Sequence, residues 1–279
     1  MRIFRAIFAH PSGRIGGVIV GLYLIIAALG MLGLTPHNPL TQYRVDRLHA
    51  PNGAYWMGTD LFGRDVASRL MAGVGQSFTV AFFSVAFASL AGTALGLAAA
   101  WFGRSWDGVV MRVMDVLLAF PAILLALLIV AVAGPGTWTS VVAIAIVYTP
   151  IFTRVVRGPA LSLKTREFVD AARTFGSSST YIVTRHLLLN LVAPLTVQVT
   201  LALAWALLTE AGLSFLGLGI QPPAASLGLM LSDSRNLMET APWLMIFPGL
   251  AIMISILGFN LLGDALRDIL DPKMRRAAA

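Results

Sequence analysis

The chain has 279 residues, 57% hydrophobic and only 12% charged, with a mean hydropathy of +0.81 and a net charge of +7. A soluble domain carries about a quarter charged residues, so this composition excludes an ordinary soluble enzyme and points to an integral membrane protein. The chain has no cysteine, which excludes disulfides, cysteine zinc sites and iron–sulfur clusters.

A bilayer core of about 30 Å takes about 20 apolar residues of helix. In chain order, residues 1–14 read as a cytoplasmic N-terminal segment and Ile15–Leu34 as the first span, ended by Pro36 and Pro39. The apolar run is longer than that of a signal peptide, so it reads as a retained anchor. Residues 35–72 read as an extracytoplasmic segment, and 73–264 as a core of five more spans. These are Ser77–Ala100, Val116–Ala133, Trp138–Thr153, Leu187–Thr209 and Ala241–Leu262. Gly134-Pro135-Gly136 divides the long charge-free block 116–153. A polar loop, 154–186, separates the fourth and fifth spans, and 265–279 reads as a C-terminal tail. Asp264, Arg267 and Asp268 have the spacing of an exposed helix end, which Pro272 is expected to stop. Gly17-x-x-x-Gly21 and Gly92-x-x-x-Gly96 each allow two helices to approach closely.

With both termini inside, only Arg44, Arg47, Arg64, Arg69 and Arg235 of the 20 Lys and Arg residues fall outside. The positive-inside rule therefore expects cytoplasmic termini and a cytoplasmic 154–186 loop. This location accounts for the excess base, and nucleic acid is not an expected partner.

Three stretches imitate chemistry. Gly158–Thr165 nearly matches a phosphate loop, but Leu163 replaces the second glycine that lets backbone N–H groups close on phosphate. Ser214, in Gly212-Leu213-Ser214-Phe215, is a remote candidate for an intramembrane nucleophile, with no histidine and acid at a defined spacing beside it. Glu210 is an ionisable group in a span, expected to pair with Arg235 or to be solvated by an outer cavity.

Residues 165–180, TREFVDAARTFGSSST, are polar between greasy neighbours. Thr165 is placed to cap a short helix with Glu167 and Asp170 in its first turns. Phe168, Ala172 and Phe175 fall on one face at helical spacing. Gly176 is placed to end the helix with positive φ, and Thr180 to cap a second helix. On these residues alone the element reads either as a docking helix or as an amphipathic loop helix lying on lipid.

Asp170-Ala171-Ala172-x-x-x-Gly176 resembles the E-A-A-x-x-x-G loop of permease subunits of ATP-binding cassette importers. Gly58-Thr59-Asp60-x-x-Gly63-Arg64-Asp65, then Ser68-Arg69-Leu70, resembles the segment after the first span in the dipeptide/oligopeptide/nickel permeases. Leu213–Gly219 with Pro222-Pro223, Pro242-Trp243, and Asn260 through Asp271-Pro272 resemble the C-terminal third of the same group. The resemblance covers roughly 55–273 and is to the C-type subunit. Asp170 replaces the family's Glu, and Leu189 stands where its proline is usual.

The resemblance implies an all-α, six-span, type I ABC importer (MetI-like) permease fold in a bacterial plasma membrane. It implies a non-catalytic subunit without a cofactor, ATP and Mg belonging to partner ATPases. The expected partners are a homologous B-type permease, one or two ATPase subunits, an extracytoplasmic substrate-binding protein and membrane lipid. Glu167, Asp170, Ala171, Ala172, Arg173 and Gly176 are the expected ATPase contacts. Gly58, Thr59, Asp60, Gly63, Arg64 and Asp65 are a family motif whose role the residues do not give. Di- and oligopeptides are the expected cargo, with nickel, a metal chelate or haem as alternatives.

Overall fold

In a lipid-like medium every backbone N–H and C=O must find its partner within the chain, so the long apolar runs fold as helices. The computed structural model describes residues 2–270, and Pro272 with the rest of the expected tail end lies outside them. The helices are α1 (Arg2–Ala9), α2 (Pro11–Met31), α3 (Val66–Phe102), α4 (Arg104–Leu118), α5 (Ala122–Ala133) and α6 (Thr137–Lys164). After them come α7 (Glu167–Thr174), α8 (Ser179–Tyr181), a π-helical stretch Ile182–Leu187, α9 (Leu188–Phe215), α10 (Leu227–Ser234) and α11 (Trp243–Leu270). Among the described residues the only strand-like pairing is an isolated bridge between Thr59 and Asp65.

Five helical runs are long and apolar enough to cross a membrane: α2, α3, α6, the continuous Ser179–Phe215 run, and α11. A sixth arises if α4 and α5 are counted together, but they meet at 92°. The expected straight span Val116–Ala133 is therefore corrected to an elbow. Pro121 accounts for it: it has no N–H to give, disfavours helix in the residue before it, and itself takes an extended ψ of 129° ahead of α5. The α4 arm is held to α6 by two ion pairs. Arg154 Nη2 lies 2.6 Å from Asp115 Oδ1, and Arg157 grips both oxygens of Asp107, with Nη2 to Oδ2 at 2.6 Å.

Other boundaries also move. The first span begins at Pro11, not Ile15, and ends at Met31. The next begins at Val66, not Ser77, and at 37 residues is about 55 Å long, enough to protrude from a bilayer. The helix expected to end at Thr153 runs on to Lys164, through Pro150 and Pro159. Residues 154–164 of the expected loop are thus helix.

The central packing is α3 on α6, with α2 against α3 and α11, and α9 against α3, α6 and α11. Gly92 and Gly96 make the first contact possible. A Cβ on Gly92 would stand 2.5 Å from that of Phe152, and one on Gly96 would stand 2.7 Å from the Thr153 carbonyl oxygen. Gly17 and Gly21 do not serve as a second such pair. Gly21 has nothing within 4 Å, and Gly17 meets only the ring of Phe8. The close approach on α2 is made by Gly16 instead: a Cβ there would stand 2.8 Å from Gly258 O and 2.6 Å from Leu262 N of α11.

These contacts separate the two glycine pairs experimentally. Gly92→Leu overpacks a filled interface and is expected to cost about 1–3 kcal/mol or more, seen as a lower melting temperature of the detergent-solubilised chain. Gly21→Leu points into open space and leaves it unchanged. Equal losses at the two positions would refute the assignment.

Candidate functional site

The polar element 165–180 folds as α7 and its turn. Thr165 does not cap it: its hydroxyl bonds the Ser162 carbonyl at 3.0 Å, and Arg166 occupies the cap position without a side-chain bond. Glu167 and Asp170 do lie in the first turn, where acids favour the helix dipole. The helix ends in a Schellman motif: Gly176 N–H bonds Arg173 O at 2.9 Å and Ser177 N–H bonds Ala172 O at 3.0 Å. Gly176 has φ +78°, as that motif requires. Ser178, not Thr180, caps the next helix, accepting from Tyr181 N–H.

The buried face also differs from expectation. Phe168 and Phe175 do not share a packed face with Ala172: Phe175 is 88% exposed, and Phe168 is half exposed beside the ring of His186. The anchor is Val169, which is 0% exposed. It sits in a cluster with Leu97 and Ala100 of α3, Val156 and Ala160 of α6, and Ile182, Leu187 and Leu191 around the entry to α9, with Ala172 against it. Val169 and Ala172 are three apart and share a face. In the sequence this pair is a weaker signal than the two aromatic residues beside it.

Two cations tie the element to the end of α3. Lys164 Nζ bonds the carbonyls of Ala100 and Trp101 at 3.1 and 2.6 Å, satisfying acceptors left open at the helix C-terminus. Arg173 lies over the Trp101 ring at 5.1 Å and 3.4 Å from Asp170. The near-phosphate-loop 158–165 is therefore mostly helix, and its lysine is spent on carbonyls. Glu167, Asp170, Ala171, Arg173 and Gly176 are exposed together on the outer side of α7, with Ala172 half buried beneath them. The π-helical stretch follows at once and leads without a break into α9, leaving Leu189 exposed on a continuous helix.

The Gly58–Asp65 motif lies at the other end of α3. Asp65 caps α3, taking the Ser68 N–H at 2.9 Å. Thr59 Oγ1 accepts from His49 N–H at 2.9 Å and donates to the Asp46 carbonyl. Asp60 takes Phe62 N–H and Arg64 N–H at 2.8 and 2.9 Å on one oxygen and Arg64 Nε at 2.6 Å on the other. Gly63 has φ +74°, and a Cβ there would strike the Tyr43 carbonyl. Gly58 packs against Trp243, whose indole N–H reaches Thr59 O at 3.3 Å. The motif thus knits the 36–65 loop to the starts of α3 and α11.

Ser214 is 0% exposed. Its hydroxyl donates to Glu210 Oε1 at 2.7 Å and accepts the Ile220 N–H at 3.2 Å, which folds the 216–220 turn back onto α9. Glu210 is fully buried and makes no ion pair with Arg235, which is exposed, so the expected pairing is replaced by a hydroxyl contact. The arrangement is a buried turn clasp with no open approach for a substrate.

Relatives place this geometry. The family described as binding-protein-dependent transport system inner membrane component matches residues 92–276. The chain is 45% identical over 272 residues to the dipeptide transport system permease protein DppC of Alkalihalophilus pseudofirmus, covering 98% of this chain and 89% of that protein. It is 39% identical to the di/tripeptide transport system permease protein DppC of Pseudomonas aeruginosa, covering 97% and 91%. It is 43% identical to the glutathione transport system permease protein GsiD of Pectobacterium atrosepticum, covering 91% and 85%. The fold is similar to a chain of the MetNI methionine ABC transporter in an inward-facing form, with TM-score 0.60 and 19% identity over 73% of this chain and 96% of that one. The chain therefore belongs to the binding-protein-dependent transport system inner membrane component family and is a permease subunit of an ATP-binding cassette importer.

Proposed function

We propose that the chain forms half of a translocation pore for di- and oligopeptides and is driven through α7 by a cytoplasmic ATPase. The observation that carries this reading is the construction of α7: one buried side, Val169 with Ala172, and an exposed side offering Glu167, Asp170, Ala171, Arg173 and Gly176. A helix resting on lipid would turn its aromatic residues and apolar face to the acyl boundary. Here Val169 is turned inward onto three spans, and the outward side is mostly polar, with Phe175 protruding and Phe168 half exposed beside His186. A force applied to that face reaches the ends of α3, α6 and α9 through one cluster, which is what alternating access by movement of a helix bundle needs.

In this reading both termini are cytoplasmic and the chain pairs with a homologous B-type permease in a bacterial plasma membrane. ATP and Mg are held by the ATPase subunits, and a substrate-binding protein delivers cargo from outside. Peptide cargo is supported by the names of the relatives, which are dipeptide, di/tripeptide and glutathione permeases. The 15 to 5 distribution of cations supports the orientation, only Arg44, Arg47, Arg64, Arg69 and Arg235 of the 20 lying outside.

The direct test is to recover the tagged chain from native membranes in mild detergent. A second permease and ATPase subunits are expected with it, and recovery of the folded chain alone would overturn the docking role. Gly176→Val adds no clash within the chain but strains a left-handed position by about 1–2 kcal/mol. It is expected to cut ATPase recovery and peptide uptake about tenfold. Gly158→Ala, in open space on a helix, leaves both intact. Ser214→Ala leaves a buried carboxylate oxygen and N–H unpaired and is expected to cost about 1–3 kcal/mol of stability. Uptake per folded complex should be retained. A peptide-cleaving activity lost with Ser214 would contradict this account.

A further inference from the structure

Beside the outer-loop motif, one guanidinium is only partly satisfied among the described residues. A cavity of about 160 Å³ lies between the loop, the start of α3, α10 and the start of α11, lined among others by Asp60, Phe62, Arg64, Arg69, Met230 and Asp233. The Arg69 side chain is 3% exposed; its Nε lies 3.5 Å from Asp60 Oδ2, and its Nη1 is buried with no hydrogen-bond partner. A buried guanidinium donor left open is costly, by the desolvation of a charged group that nothing repays. The ion pair with Asp60 reaches Nε and not Nη1, and Asp60 is shared with Arg64 and the Phe62 N–H. Asp233 stands on the same cavity without a hydrogen bond to Arg69 among the described residues. Burial raises the Asp233 pKa, and the nearby Arg69 and Arg64 pull it back.

The chemistry that completes this site is narrow. A guanidinium fork matches the two oxygens of a carboxylate in geometry and charge. The space is enough for a carboxylate group with two or three carbons. Phe62, Met230, Leu237 and Leu244 give it low-dielectric walls that strengthen such a pair.

We propose that Arg69, with Arg64 beside it, forms a subsite that receives one carboxylate group. The source, on the peptide-import reading above, is the C-terminal carboxylate of a short peptide; an acidic side chain of a protein docked on this face has the same chemistry. Asp233 is the competitor that guards the site while it is vacant.

The test uses the assembled transporter in nanodiscs without binding protein, and reads melting temperature against sodium acetate, with sodium chloride at equal ionic strength as reference. Acetate is expected to raise the melting temperature and chloride not. Arg69→Gln abolishes the acetate effect and Arg69→Lys weakens it. Asp233→Asn moves half-saturation about tenfold lower, as removal of one competing charged contact should. That gain keeps the proposal testable if the Arg69 variants fold poorly. Identical acetate and chloride curves, or an acetate curve unmoved by Asp233→Asn, would overturn the subsite. The dipeptide Ala-Ala and its C-terminal amide then separate the sources. An effect of Ala-Ala absent with the amide assigns the carboxylate to free peptide. An effect of acetate without one of Ala-Ala assigns it to a protein side chain. Uptake by the unaltered complex is measured separately, so failure of the import reading is distinguishable from failure of the cavity.

Discussion

The rest of the structure depends on the contact between the backbones of α3 and α6 at Gly92 and Gly96. Between lipid-facing helices there is no hydrophobic gain in association, so packing distance decides which pairs hold. Because α3 offers no side chain at these two positions, α6 packs closely there and its end arrives beside the end of α3. Lys164 then reaches the Ala100 and Trp101 carbonyls, and α7 starts three residues later with Val169 already facing the cluster. The position of the exposed helix follows from two missing side chains several turns away.

The opposite end of α3 is organised by other means. There a loop with little regular structure must be held without a sheet or a long helix. It is held by a carboxylate cap, a carboxylate taken up by Arg64 and two backbone amides, and two glycines pressed on carbonyls or an indole. Such a network is rigid because most of its polar groups have defined partners. Arg69 Nη1 is a buried cationic donor beside it that has no hydrogen-bond partner among the described residues. One long helix thus carries the exposed α7 at one end and a cavity at the other, about 55 Å apart along its axis.

Some of this was legible residue by residue. Gly176 ends its helix as its neighbours predicted, because positive φ after a polar helix is a local property. The caps were less legible. Thr165, Thr180, Thr59 and Asp60 are all acceptable cap residues, and the choice among them and Arg166, Ser178 and Asp65 was made by where each chain segment had to enter its helix. The elbow at Pro121 was written in the sequence and masked by the charge-free block around it.

The sequence by itself determined that the chain spans a membrane, that it does so with helices, and which family it resembles. These rest on composition, run length and motifs, all of which are local. Only the tertiary structure decided that Gly16, not Gly17 or Gly21, meets α11, that Val169 and not the two phenylalanines anchors α7, and that Glu210 pairs with Ser214 and not Arg235. Each of these is a choice among candidates that the sequence leaves open. Rotation of the helix against its neighbours makes that choice, and rotation is set by contacts distant in the chain.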